Sequence, residues 1–152
     1  MEITIRAAEP GDLDGLVRLL ETLFAIEADF AFDAGKQRVG LALLLASGKD
    51  CVLAAEHAGN IVGMCTAQTV ISTAEGGPVG WVEDVVVAPE YAGRGIGRRL
   101  LKHLEAWAIR NGLARLQLLA DRHNGAALGF YDRLGWRRTE LIALRKFPTA
   151  GD

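Results

Sequence analysis

Trp81-Val-Glu-Asp-Val-Val-Val-Ala-Pro-Glu-Tyr-Ala-Gly-Arg-Gly-Ile-Gly-Arg-Arg-Leu-Leu101 is the stretch from which the rest of the chain is read. The run Val85, Val86 and Val87 is β-branched and unbroken, as in a strand covered on both faces. Pro89 stops it, and Glu90 and Tyr91 carry the chain round. Gly93, Gly95 and Gly97 then alternate with Ala92, Arg94 and Ile96. Positions without side chains let successive backbone N–H groups turn towards one point, and they let a ligand come close. Ile96, Leu100, Leu104, Trp107 and Ala108 recur at helical spacing, so the loop opens into a helix that Asn111-Gly112 ends. That helix contributes unpaired N–H groups and the positive end of its dipole. Arg94, Arg98 and Arg99 add full charges. The sum is an anion seat suited to a phosphate or pyrophosphate.

Neither of two common phosphate motifs describes this loop. The Walker pattern needs Gly-Lys-Ser/Thr, and no Lys stands in that place. The dinucleotide pattern G-x-G-x-x-G starts at Gly93 and Gly95 but meets Arg98 where it needs glycine. The segment does resemble the acetyl-CoA loop of the GCN5-related N-acetyltransferase (GNAT) superfamily, Q/R-x-x-G-x-G/A, through Gly95-Ile96-Gly97. Ala92 departs from it, standing where the family prefers Gln or Arg.

On the N-terminal side, Ile3 and Ile5 alternate with Thr4 and Arg6 as an opening strand. Pro10-Gly11 breaks it, and Asp12 is positioned to cap a helix running to Ile26, apolar at Leu13, Leu16, Val17, Leu20, Leu23 and Phe24. A second helix is predicted over 34–47, apolar through Val39, Ala42, Leu43 and Leu45. Between the two lies Glu27-Ala-Asp-Phe-Ala-Phe-Asp33, three acids interleaved with two aromatics. Strands over 51–57, 61–72 and 81–88 form an antiparallel meander. Past the long helix, Leu116, Leu118 and Ala120 alternate as a strand. A strand–helix–strand crossover makes it parallel to the one before the glycine loop. A last helix runs from Asn124 through Leu134, closed by Gly135, and Leu141, Ile142 and Leu144 read as a final strand.

Composition narrows the functional classes. The 152 residues are half hydrophobic and 24% charged, which suits one soluble domain spanning 1–152. A net charge of −2 removes the basic field expected of a nucleic-acid partner. The longest apolar run, Leu41 to Ala46, is too short to span a bilayer, and residues 1–6 carry no signal-peptide pattern. Cys51 and Cys65 lack metal or C-x-x-C spacing and are read as buried thiols of a reducing compartment. The expected location is therefore cytoplasmic, with no nucleic-acid or membrane partner; a homodimer is allowed for.

A second block, Asn124-Gly-Ala-Ala-Leu-Gly-Phe-Tyr-Asp-Arg-Leu-Gly-Trp136, resembles the GNAT segment N-x-x-A-x-x-F/L-Y-x-x-L-G-F, with Trp136 for the usual Phe. The element order β-α-α-β-β-β-α-β-α-β is similar to the family's across nearly the whole chain. The resemblance implies an α+β fold: a mixed, mostly antiparallel sheet, a splayed parallel strand pair and about four helices. It also implies acetyl-CoA as cosubstrate and an amine as acceptor, with a polyamine-like or other small-amine enzyme as the nearest type. An enzyme acting on a protein amine, and a non-catalytic acyl-CoA sensor, are the alternatives.

Acyl transfer from a thioester to an amine needs a proton removed from the amine, negative charge stabilised on the carbonyl, and a proton for the leaving thiolate. Glu83 and Asp84 stand beside the buried valines. Neighbours on a strand face opposite ways, so one of the two is expected in a given cleft. The resemblance to polyamine-type enzymes makes Glu83 the base, while Asp84 is read as pairing with a basic side chain or capping a turn. Backbone N–H groups of Val85 and Val87, with Val86 between them, are placed to meet the thioester and pantetheine. Gly93, Arg94, Gly95, Ile96, Gly97 and Arg98 are placed to meet the diphosphate. The resemblance makes Tyr131 the acid for the thiolate and puts Asn124, two helical turns earlier, on the pantetheine arm or at a helix cap. Glu27, Asp29, Phe30 and Trp81 are candidates for holding a cationic amine by charge and cation–π contact.

Overall fold

The computed structural model describes residues 1–27 and 29–151. Ala28, inside the acid-and-aromatic stretch, and Asp152 lie outside the described residues. In chain order the elements are β1 (Thr4–Ala7), α1 (Leu13–Ile26), α2 (Ala34–Ala46), β2 (Cys51–His57), β3 (Asn60–Ser72), β4 (Gly77–Val87), α3 (Ile96–Arg110), β5 (Leu116–Leu118) and α4 (Gly125–Arg133). Short 3₁₀ turns occupy Pro10–Asp12 and Pro89–Tyr91. Contacts divide the chain into two units, Met1–Leu118 and Leu119–Asp152.

The first unit holds one five-stranded sheet in the order β1-β2-β3-β4-β5. β1 to β4 pair antiparallel, and β5 runs parallel to β4, as the crossover through α3 requires. Alternation along β3 sorts the helices onto its two faces. Met64 and Val86 share a buried cluster with Leu16, Val17, Leu19 and Leu20 of α1 and Leu41 of α2. On the other face, Leu100 and Ile96 of α3 lie over Gly63, and the Cys65 thiol points at the Leu100 carbonyl. The amphipathic faces of α1 and α3 thus cover the β-branched and small residues of the central strands.

Both cysteines are free and buried. Burial pushes the Cys51 thiol up to about 11 and the Cys65 thiol higher still, so neither is a ready nucleophile.

Five local expectations change. Asp12 makes no side-chain cap on α1. Its carboxylate accepts from Arg6 at 2.7 and 3.0 Å and from the Glu9 N–H at 2.8 Å, tying the 3₁₀ turn to β1, while Arg6 also reaches Glu56 at 3.2 Å. The buried side of α2 is Leu41, not Val39 or Leu43, which are 61% and 69% exposed. Residues 41–46 are apolar on every side of the helix, so periodicity has no direction to report there. β4 begins at Gly77, because Gly77 and Pro78 pair with Ser72 and Ile71 to close the β3–β4 hairpin. β5 stops at Leu118, short of Ala120, and residues 141–144 form no strand. Their unit holds no second strand among the described residues, and alternation alone cannot supply a ladder.

The Arg6 hydrogen bonds hold the Asp12 carboxyl below its ordinary 3.8. A carboxyl lowered on folding contributes stability above its unfolded pKa and loses it as the pH falls through the folded one. Asp12→Asn is therefore expected to cost about 1 kcal/mol near neutrality. The gap from the parent should close in acid, as read by denaturant melts at both conditions.

Candidate active site

The site is organised by an irregularity in β4. Met64 pairs with Val86 and Thr66 with Glu83, so Asp84 and Val85 together face Cys65. This is a β-bulge with Asp84 in the left-handed region at φ 54. A side chain next to a bulge is re-aimed, and the strict in–out alternation expected of Glu83 and Asp84 does not hold. Burial, with the charges of Glu83 and Glu27 close by, pushes the Asp84 carboxyl up from 3.8 to about 7, against a hydrogen bond from Thr66 that lowers it. Asp84 therefore has acids around it, and among the described residues no ion pair joins it to a basic side chain. Sequence reasoning missed its part in the site, because the bulge is set by the register of two strands.

Glu83 is exposed, and the Trp81 indole N–H donates to its Oε1 at 2.7 Å. The two lie two positions apart on the same strand face, as period-two geometry places them. Glu27 is the C-cap that follows α1, its N–H donating to the Leu23 carbonyl. Asp29 is exposed, and Phe30 and Phe32 are 46% and 37% exposed. The Phe30 ring sits 5.5 Å from that of Phe24. Carboxylates of Glu27, Glu83 and Asp84 are thus gathered on the α1 side of the sheet, with Trp81 beside them. Such a place attracts a cation.

Next to it β4 and β5 splay. They pair only at Gly80, Trp81 and Val82, so no partner strand covers residues 83–87 on that edge among the described residues. The Ala88 N–H donates to Val62 of β3 at 2.8 Å. Alternation from there turns the Val85 and Val87 N–H groups to the open edge and the Val86 N–H to β3. Those two amides are the donors a carbonyl or an amide arm would find.

The loop then delivers the seat. Gly93 and Gly95 take φ of +76 and +77, conformations an L side chain adopts at a cost. Gly95 is the N-cap of α3 and has no side chain to occupy the first N–H groups of the helix, those of Ile96, Gly97 and Arg98. Ile96 is buried, so only its backbone faces the loop. Arg94 and Arg98 are exposed, whereas Arg99 donates to the Ile3 carbonyl at 2.8 Å and secures the N-terminal strand. The Arg94 guanidinium lies 5.2 Å from the centre of the Tyr91 ring. An open hollow of about 310 Å³ beside the β2–β3 turn, lined by Glu2, Thr4, Glu56, His57 and Ala58, carries two carboxylates and suits no phosphate.

In the second unit, the Asn124 side chain caps α4 by accepting from the Ala127 N–H at 3.1 Å. Tyr131 lies on that helix, its ring edge-on to Phe130 at 5.2 Å and to Trp136 at 5.9 Å. Gly135 at φ +89 closes the helix. Among the described residues, no group of three or more His, Cys, Asp or Glu is placed to hold a metal ion. No helix there is long and apolar enough to cross a membrane.

Known proteins are similar to this chain in sequence and in fold. The model of the acetyltransferase (GNAT) family matches residues 18–136. An uncharacterized N-acetyltransferase of Archaeoglobus fulgidus is 31% identical over 138 residues, 90% of this chain and 94% of the relative. An acetyltransferase of Trypanosoma brucei superposes with a TM-score of 0.75 at 25% identity, covering 96% of this chain and 100% of that one. An aminoglycoside N-acetyltransferase in complex with CoA superposes with a TM-score of 0.84 over 97% of this chain and 96% of that one, at 16% identity. At that identity the likeness speaks to the fold alone.

Proposed function

This chain belongs to the GNAT acetyltransferase family and is an acetyl-CoA-dependent N-acetyltransferase, and from that premise we propose that its acceptor is a small, cationic primary amine. The observation that carries the reading is the gathering of Glu27, Glu83 and the bulged Asp84 beside the open edge of β4. An ammonium group entering there meets charge of the opposite sign in a partly desolvated place. Asp29 and Phe30, exposed and close behind Glu27 in the chain, are proposed to extend that border.

In the proposed reaction one domain, 1–152, holds both substrates and transfers the acetyl group directly. The diphosphate of acetyl-CoA rests on the N–H groups of residues 93–98, and the Val85 and Val87 amides hold the thioester carbonyl and pantetheine. Glu83, oriented by Trp81, accepts the amine proton directly or through water. The neutral nitrogen attacks the thioester carbonyl, and the carbon–sulfur bond breaks. Tyr131 is proposed to protonate the leaving thiolate, with Asn124 on the pantetheine arm; both lie in the segment the family model matches.

Release of CoA thiol in the presence of a panel of amines tests this reading. Polyamines, amino acids and amino sugars are expected to accelerate release by at least about tenfold over peptides with free N-termini. Faster turnover on peptides would transfer the assignment to a protein amine. Tight acetyl-CoA binding with no acceptor-dependent release would make the chain a sensor.

A further inference from the structure

The glycine loop lacks the Gln or Arg that its family pattern carries at the position of Ala92. A cation nearby is held in an unusual way. The Tyr91 hydroxyl lies 2.7 Å from His57 Nδ1, and the two rings meet edge-on at 5.5 Å. Tyr91 is half-buried against the cluster shared by α1 and the sheet, and its N–H donates to the Ala88 carbonyl at 2.9 Å. His57 is fixed in turn at the end of β2, paired with Asn60 across the β2–β3 turn. Tyr91 is thus anchored at its backbone, its ring and its hydroxyl. On that ring rests the Arg94 guanidinium, and its Nη1 also touches the Met1 sulfur, a weak acceptor, at 2.9 Å. No carboxylate pairs with Arg94 among the described residues. A guanidinium has five N–H donors in a rigid fork that fits phosphate, and one already laid on an aromatic face has less freedom to lose when it grips one.

Arg94 is already a diphosphate candidate by its place in the loop; we propose that the Tyr91 ring beneath it is a built platform that holds its guanidinium ready for a phosphate, in compensation for the missing residue at 92. In the same proposal His57, through its hydrogen bond to Tyr91, is a positioning residue for cofactor affinity. The inference rests on the acetyl-CoA seat proposed above and adds a residue from a different strand, β2, to it. The phosphate gripped is either the diphosphate or the ribose 3′-phosphate of CoA.

Calorimetric titration of the full chain with CoA and with dephospho-CoA is the test. Arg94→Gln is expected to weaken CoA binding about tenfold, the scale of one charge-assisted contact. His57→Phe and Tyr91→Phe remove the same hydrogen bond by separate routes, and each should weaken binding about three- to fivefold. The loss should fall on KM for acetyl-CoA rather than on kcat. His57→Gln, which keeps a side-chain hydrogen-bonding group, should restore much of it. In the Arg94→Gln background, His57→Phe should add nothing, since the platform then has no cation to hold. An Arg94→Gln loss that persists with dephospho-CoA supports the proposal and places the grip on the diphosphate. A loss that vanishes supports it and places the grip on the 3′-phosphate. His57→Phe and Tyr91→Phe that both bind CoA as the parent does, or an effect of His57→Phe undiminished in the Arg94→Gln background, overturns it. A parent protein that binds no CoA would sink the acetyltransferase seat itself, a separate result.

Discussion

Gly95→Val is expected to weaken coenzyme A binding by at least about 100-fold while leaving a folded protein. Gly95 sits at φ +77, where a β-branched residue is strained, and that alone costs about 1–2 kcal/mol of stability. For a chain of this length it corresponds to a drop of a few degrees in Tm. A Cβ at this position would meet no protein atom within 4 Å, so the fold has room for it. The added methyl groups instead stand where the diphosphate must approach the N–H groups of α3. Two effects are therefore separable in one variant: backbone strain, read by thermal melting, and crowding of the seat, read by CoA titration. Gly95→Asn supplies the control for strain, because Asn tolerates the left-handed region better than Val does. Binding retained within about threefold in Gly95→Val would show that the loop only turns the chain, and the CoA seat would have to be sought elsewhere.

Features carried by neighbouring residues were readable from the chain alone. The valine run, the alternating glycines and the apolar spacing after them describe β4, the loop and α3 without reference to anything distant. The parallel setting of β5 follows from the strand–helix–strand crossover, which is equally a property of the connection. What escaped depends on partners far away in sequence. Asp84 joins the acidic group only because β3 and β4 slip by one residue between Met64 and Thr66. His57 reaches Tyr91 across the sheet, and nothing around either residue announces it. Asp12 sits where a cap is wanted, yet Arg6 takes its carboxylate, since a bidentate charged partner outcompetes a neutral N–H. In α2 the choice among apolar residues of similar character was made by packing against α1 and β2, which left Val39 and Leu43 outside. The alternation over 141–144 is a strand pattern without a strand to pair with in its own unit.

The pair Glu83 and Asp84 should separate catalysis from stability. Glu83→Gln is expected to lower kcat about 10²- to 10³-fold, the usual contribution of a positioned base, with little change in CoA affinity. Asp84→Asn is expected to do the opposite for the fold. Its carboxyl is raised on folding to about 7, so the folded state binds a proton that the unfolded state has released between pH 3.8 and 7. The stability this contributes is complete below the unfolded pKa and is lost as the pH rises through the folded one. Replacing the acid by the near-isosteric amide removes that loss. Above about pH 8 the variant should be more stable than the parent by roughly 2–4 kcal/mol, with the difference shrinking in acid. Asn also accepts the φ of 54 at the bulge. The two substitutions are coupled through charge. Glu83 adds to the burial that raises the Asp84 pKa, so Glu83→Gln should move the corresponding limb of kcat/KM to lower pH, and Asp84→Asn should erase that limb. The profile must be referred to the free, unprotonated amine, whose own ionisation would otherwise hide it. A limb that stays in place in Glu83→Gln would mean the two carboxylates do not sense each other. Undiminished kcat in that variant would take the base away from Glu83. On the proposed reading an incoming cation offsets this loss of stability: an ammonium bound beside Asp84 would favour its ionised form, where the empty site, by burial and the charges of Glu83 and Glu27, favours the protonated one.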